Sequence, residues 1–267
     1  MFVYVLGVGG LGNSLFQLAA AIYYCEKYNY DLKIVKNDTI LFGTSNMFQR
    51  IKCLKTTTEF ITYDKTFFSK LQFVEQIDTN TVIIHNDYTN TPIIPNDTHI
   101  LISGYNQNIG LFASVMSEIP KYLRLDDTHI KNYILEKYSN IKNSTVICVR
   151  IGNDFKHMNK ITPKSYLKAV EFLKNDEINN IFTIGDVPIA HDFLNIDYID
   201  INEPDIIQFY AGLLCKNIIL SESTFHLWIA YLGTDFGKNI DKKVICFNDT
   251  DITNRNLNLE NWIVLNY

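Results

Sequence analysis

Short apolar runs rich in β-branched residues alternate along this chain with stretches whose apolar positions recur every three or four residues. The second half shows the alternation most clearly. Thr145-Val-Ile-Cys-Val-Arg150 is apolar on both faces, as a strand buried inside a parallel sheet must be. Thr162 then caps and Pro163 opens a predicted helix reaching Lys174, with Tyr166, Leu167, Val170 and Leu173 at helical spacing. Residues 181–184 predict the next strand, ending at Gly185-Asp186, followed by a short helix over 189–194 and a strand over 197–201. Asn202 and Pro204 introduce a helix with Ile206, Ile207, Tyr210, Leu213 and Leu214 as its apolar positions. A strand over 217–220, a helix over 223–232 and a strand over 243–247 complete the pattern.

The first half opens with a strand over 2–6, a glycine-rich turn, a helix over about 13–28 and a strand over 32–35. Helix-like segments follow near 43–53 and 66–76, then strands at 81–85 and 99–103 and a helix over about 109–123. The polar, Asn- and Lys-rich stretch from Asp126 to Ser144 holds the expected boundary, giving domains of 1–138 and 139–267. Strands alternating with helices imply parallel sheets covered on both faces. Such sheets bind ligands beyond the carboxyl ends of their strands. Residues 150–154, Asp186 and residues 221–225 are therefore the positions where chemistry is expected.

Composition narrows the class. At 267 residues and 30.9 kDa the chain has room for one large domain or two compact ones. Hydrophobic residues at 47% permit a packed core and exclude wholesale disorder, and a net charge of −5 argues against a nucleic-acid wrapper or a basic membrane-surface protein. With 28 Asn in the chain, a lone Asn marks little. The five cysteines lie far apart with no C-x-x-C pair, which fits a reducing compartment better than a disulfide scaffold. The histidines show no zinc spacing. No targeting segment and no apolar run of about 18 residues is visible, so a soluble, cytoplasmic protein without a membrane anchor is expected.

Gly7-Val-Gly9-Gly10-Leu-Gly12 matches G-x-G-x-x-G between a strand and a helix, and Asp38 follows the second strand. In that context the loop is either a dinucleotide fingerprint or a tight strand-to-helix turn that needs glycines for close packing. More of its residues fit a third pattern. Gly10-Leu-Gly12-Asn13-Ser14-Leu-Phe16-Gln17 resembles the Gly-Leu-Gly-Asn-Gln-hydrophobic-Phe-Gln signature of the alpha-1,2-fucosyltransferases, glycosyltransferase family 11, with Ser14 in place of Gln. Ser103-Gly-Tyr105-Asn-Gln107 is similar to that family's Gly-Tyr-Phe-Gln, with Asn106 for Phe. Cys148-Val-Arg150-Ile-Gly152-Asn153-Asp154-Phe155 resembles its His-Val-Arg-Arg-Gly-Asp-Tyr, with Cys148 for His, Ile151 for the second Arg and one residue inserted before Asp154. That stretch lies closer to the Arg-Ile-Gly-Ser-Asp-Trp of protein O-fucosyltransferases. Asp186 is similar to a Ser-Asp-Asp position, and Ser221-Glu-Ser223-Thr224-Phe225-His-Leu-Trp228 follows the Asn-Ser-Ser-Phe-Ser-Trp-Trp block.

The resemblance implies an α/β protein of the GT-B type, two Rossmann-like domains with a cleft between them, the second binding the sugar nucleotide. It implies inverting transfer of fucose from GDP-fucose to a glycan hydroxyl, O2 of a galactose-type acceptor. Arg150 has the fork that grips phosphate oxygens, although a structural ion pair would use the same residue. The helix opening at Ser223 offers backbone N–H groups and its dipole to an anion, a role compatible with ordinary capping by Ser221 or Ser223. Arg150, Asp154 and Asn13 are the catalytic candidates; Gly10, Gly12, Asn153, Asp186, Ser221, Glu222, Ser223, Thr224 and Phe225 are the substrate-binding ones. Asp154 is the best-placed carboxylate for a general base, but Arg150 beside it would weaken it; His85 and Asp87 are further candidates. Asp186 is equally a turn former, and Phe225 and Trp228 equally core aromatics. Asp249-Thr-Asp251 has the spacing of a metal-binding pair, but Arg150 and a helix N-terminus already offer charge stabilisation, so no metal and no cofactor beyond the donor is expected. The alternatives are an NAD(P)-dependent oxidoreductase using Gly7, Gly9, Gly12 and Asp38, and an inactive sugar-nucleotide-binding protein.

Overall fold

The computed structural model describes residues 1–7, 10–35, 51–53, 60–62, 67–85, 94–151, 161–173, 180–185, 194 and 196–266. The chain divides into two compact units, Met1–Leu125 and Asp126–Tyr267.

In the first unit, β1 (Phe2–Val5) leads through Gly7 into α1 (Leu11–Tyr28), then β2 (Asp31–Val35). Leu15, Phe16, Leu18, Ile22 and the three alanines 19–21 are fully buried, so α1 is held by tertiary burial around much of its circumference. It ends where Asn29 takes the left-handed conformation and its N–H bonds Cys25 O. Next come β3 (Ile51–Cys53) and β4 (Phe60–Thr62), a separate antiparallel pair, then β5 (Phe73–Val74), β6 (Thr81–His85) and β7 (His99–Ser103). The parallel sheet runs β5-β2-β1-β7-β6.

Two expected helices are not formed here. Residues 67–70 are turn and 73–74 an edge strand, because the backbone here pairs with β2 in parallel, with Ile34 N–H bonded to Gln72 O, and is not available to a helix. The segment 109–123 breaks into a four-residue helix, α2 (Ile109–Phe112), and short 3₁₀ turns at Ala113–Val115 and Ile119–Tyr122. Pro120 lacks the N–H that a continuous α-helix would need there.

The second unit begins with α3 (Thr128–Lys137), whose N-cap Asp127 accepts from the N–H groups of His129 and Ile130. It packs on α5, so this polar stretch belongs to the second unit. The elements that follow are β8 (Thr145–Val149), α4 (Pro163–Leu173), β9 (Ile181–Gly185), β10 (Ile199–Asp200), α5 (Asp205–Leu214) and β11 (Asn217–Ile219). Then come α6 (Thr224–Gly233), β12 (Lys243–Phe247), α7 (Asp251–Asn254) and β13 (Ile263–Leu265). Thr162 and Ser165 exchange backbone-to-hydroxyl bonds across the first turn of α4, as the Thr-Pro signal predicts. The short strand β13 was not foreseen, and the expected helix over 189–194 lies outside the described residues except at Leu194.

All six strands are parallel, in the order β10-β9-β8-β11-β12-β13. Numbered from β8 that order is 3-2-1-4-5-6, the doubly wound arrangement of a Rossmann sheet. Ile147, Val149, Ile219, Ile245 and Phe247 form one buried face under Tyr166, Ala169 and Leu173 of α4. The two sheets are the α/β architecture expected from the alternating pattern. No helix among the described residues is long and apolar enough to cross a membrane.

Candidate functional site

The direction of the chain reverses across the sheet of the second unit between β8 and β11, and such a switch point leaves a crevice at the carboxyl ends of the two strands. Arg150 follows β8 directly and is half-buried; residues 221–223 follow β11 and lead into α6. These two features lie at the ends of hydrogen-bonded neighbours, with Ile219 opposite Ile147. The α6 N-cap is Ser223, whose side chain makes no capping bond, and no acidic residue occupies the first turn. The positive end of this ten-residue helix therefore receives no bond from its own N-cap side chain.

The turn itself is held from behind. Ser221 is fully buried, and its Oγ lies 2.6 Å from His226 Nδ1 while accepting from Ser223 N–H at 3.3 Å. Ser221 thus braces the turn, and the half-buried Ser223, Thr224 and Phe225 are the ones near solvent. Phe225 packs edge-on against Phe209 of α5 and against the His226 ring, and Trp228 is core. Glu222 Oε1 accepts from Asp251 N–H at 3.0 Å and so supports the start of α7. The Asp249-Thr-Asp251 spacing belongs to that same helix start, where Thr250 and Thr253 form a capping box and Asp249 Oδ1 accepts from Asn254. Among the described residues no three His, Cys, Asp or Glu side chains come together as a metal cluster.

His226 and Gly185 were not singled out from the sequence, yet they join the strand ends. A Cβ on Gly185, at the end of β9, would sit 2.1 Å from Val149 O and 3.0 Å from His226 Cε1 and Nε2. Gly185 N–H donates to Gln208 Oε1 at 2.7 Å, and Gln208 Nε2 donates to Glu203 O at 2.7 Å, so α5 pins the other side of the same strand end. Glu203 in turn is buried against Lys137, Tyr133 and Tyr138. A lone histidine on an apolar helix carries no sequence pattern that predicts such a partner five residues upstream.

Burial, and then the nearby charge of Arg150, push the His226 imidazole down to about 3. An unfolded chain protonates this ring below about pH 6.5. The folded chain binds fewer protons across that window, so its stability falls on acidification, by about 1.4 kcal/mol per pH unit. Thermal midpoints between pH 7 and 4 check this: the wild type should lose stability more steeply than His226→Phe, and parallel curves would refute the assignment.

The first unit has its own switch point, between β1 and β7. Gly10 is the N-cap of α1 and provides no side-chain bond, and Gly12 and Asn13 lie in the first turn. Asn13 Oδ1 accepts from Gln107 Nε2 at 2.9 Å, tying the α1 start to the loop after β7. In that loop Asn106 has φ 48° and its amide donates to Ser103 O and Gly104 O, a conformation and bonding suited to Asn, not Phe. Cys148 is fully buried, and burial holds its thiol well above the ordinary range. Asn153, Asp154, Asp186, Gly9, Asp38 and Asp87 lie outside the described residues, as does the side chain of His85.

No protein-family model matches the chain, and no curated protein is significantly similar to it in sequence. Solved structures share its fold. The Bradyrhizobium fucosyltransferase NodZ matches with a TM-score of 0.55 at 12% identity, over 86% of this chain and 93% of that one. A glycosyl transferase family 9 protein from Veillonella parvula matches with 0.54 at 8% identity, over 99% and 86%. An Arabidopsis thaliana FUT1 variant in complex with GDP matches with 0.50 at 11% identity, over 91% and 69%. The chain therefore has the GT-B type of fold, shared with fucosyltransferases and other glycosyltransferases.

Proposed function

We propose that this chain transfers fucose from GDP-fucose, with inversion at the anomeric carbon and without a metal ion, to a glycan hydroxyl. The observation that carries the proposal is the placement of Arg150 and the N-terminus of α6 at the ends of neighbouring strands, at the switch point of the second sheet. When the anomeric C–O bond breaks, charge collects on the departing diphosphate. A guanidinium fork and a helix N-terminus are two devices that hold such charge without a proton or a metal. Structures of NodZ co-crystallized with GDP and soaked with GDP-fucose support this choice of nucleotide. The order of the sequence motifs supports O2 of a galactose-type sugar as the acceptor. Asp154 is the base proposed for the acceptor hydroxyl, and Asn13 a proposed sugar contact.

Calorimetric titration of the purified protein in EDTA, with GDP, NAD and NADP in parallel, tests the proposal. GDP binding in EDTA is the expected result, followed by turnover of GDP-fucose on galactosides. Binding of NAD in place of GDP would return the Gly7–Gly12 loop to a dinucleotide role and overturn the assignment of the second unit.

A further inference from the structure

His226 occupies a costly position. It is fully buried in the first turn of α6, near the Arg150 guanidinium, and its Nε2 has no partner among the described residues. An aromatic or aliphatic side chain would fill the same volume without desolvating a polar ring. What an apolar residue would not supply is the bond between Nδ1 and Ser221 Oγ.

That bond matters because of how the turn is built. An ordinary N-cap fixes its helix start by folding its own side chain over the first N–H groups. Ser223 makes no such bond. The turn is instead fixed from the core side, by the Ser221 hydroxyl bridging Ser223 N–H and the imidazole. The bridge from the core side fixes the turn without the Ser223 side chain folding over the first N–H groups. The same ring's Cε1–Nε2 edge lies close against Gly185 at the end of β9.

We infer that His226 is a positioning residue of the nucleotide site: through Nδ1 and Ser221 it holds the β11–α6 turn in the form that offers the α6 N-terminus to a diphosphate. This rests on the GDP assignment made above. His226 does not touch the ligand; it acts through Ser221.

The test compares wild type with His226→Asn, His226→Gln, His226→Phe and Ser221→Ala. GDP is the titrant and the thermal midpoint is followed alongside. The Asn side chain places a polar atom near the position of Nδ1, and the Gln side chain near that of Nε2. Loss of the Ser221 bond in His226→Phe and His226→Gln should weaken GDP binding about tenfold, the scale of one hydrogen bond. His226→Asn should restore binding to within about threefold of wild type, a rescue that follows bond geometry and not core volume. Ser221→Ala should match His226→Phe, and the double variant should be no weaker than either single one. Ser221→Ala removes the bond while leaving the ring in the core, so it decides the matter even if His226→Phe does not fold. Wild-type GDP affinity in Ser221→Ala, or equal impairment of the Asn and Gln variants, would overturn the inference alone. Absence of GDP binding by the wild type would overturn the nucleotide assignment itself, and this inference with it.

Discussion

Arg150→Ala is expected to weaken GDP binding about a hundredfold, ~2.7 kcal/mol, while moving the thermal midpoint little. Arg150 stands half-buried at the end of the central strand of its sheet, beside the strand that leads into α6. A diphosphate there would meet a planar fork able to give two parallel hydrogen bonds in a partly dry setting, where charge-assisted bonds are strongest. Arg150→Lys keeps the charge without the fork and should fall between the two. The substitution also has a signature away from the ligand. Without the guanidinium one of the two causes holding His226 neutral disappears, so the His226 pKa should rise and the acid destabilisation, which starts at the unfolded value in either protein, should end at a higher pH. Unchanged GDP affinity in Arg150→Ala would move the anion site elsewhere in the chain.

Gly185→Ala should be the most damaging single-methyl change in the second unit, costing about 4 kcal/mol or more and lowering the thermal midpoint by about 10 °C or more. Three constraints meet at this residue. Its φ is 98°, a conformation that side chains with a Cβ rarely adopt. The new methyl would lie 2.1 Å from Val149 O, which belongs to the paired strand and cannot swing aside. It would also press on His226 at 3.0 Å, and through it on Ser221 and the α6 turn. GDP binding should therefore fall together with stability. Gly10→Ala is the control: its Cβ would meet nothing within 4 Å and its φ is −77°, so stability should hold. A Gly185→Ala protein with an unchanged midpoint would show that the end of β9 is not packed as described.

Much of this architecture is legible from residue order, and the reason is local. Burial on both faces of a strand and on one stripe of a helix repeats with a short period, so β8, α4, β9, α5, β11, α6 and β12 announce themselves. Elements too short to show a period do not: β13 has three residues, the segment 66–76 reads as helical until its pairing with β2 is placed in space, and 109–123 is broken by Pro120. The site divides in the same way. Arg150 is legible because it directly follows a strand, and Ser223 because it opens the helix that follows β11. The bonds of Ser221 to His226 and of Glu222 to the start of α7 are not, since their partners come from packing.

Residue order alone thus carries two α/β units, polar groups at their strand ends and a helix start suited to an anion, since each follows from spacing within a few residues. Tertiary structure decides which ends become neighbours. The 3-2-1-4-5-6 order sets β8 beside β11, bringing Arg150 and the α6 start to one switch point across some seventy intervening residues. It also sets His226 against Ser221 and Gly185, neighbours that a histidine among apolar residues does not announce. Asn13 and Gln107 likewise meet across 94 positions. Strand pairing and side-chain packing are long-range and are settled by burial and backbone hydrogen bonding over the whole sheet, which no local pattern encodes.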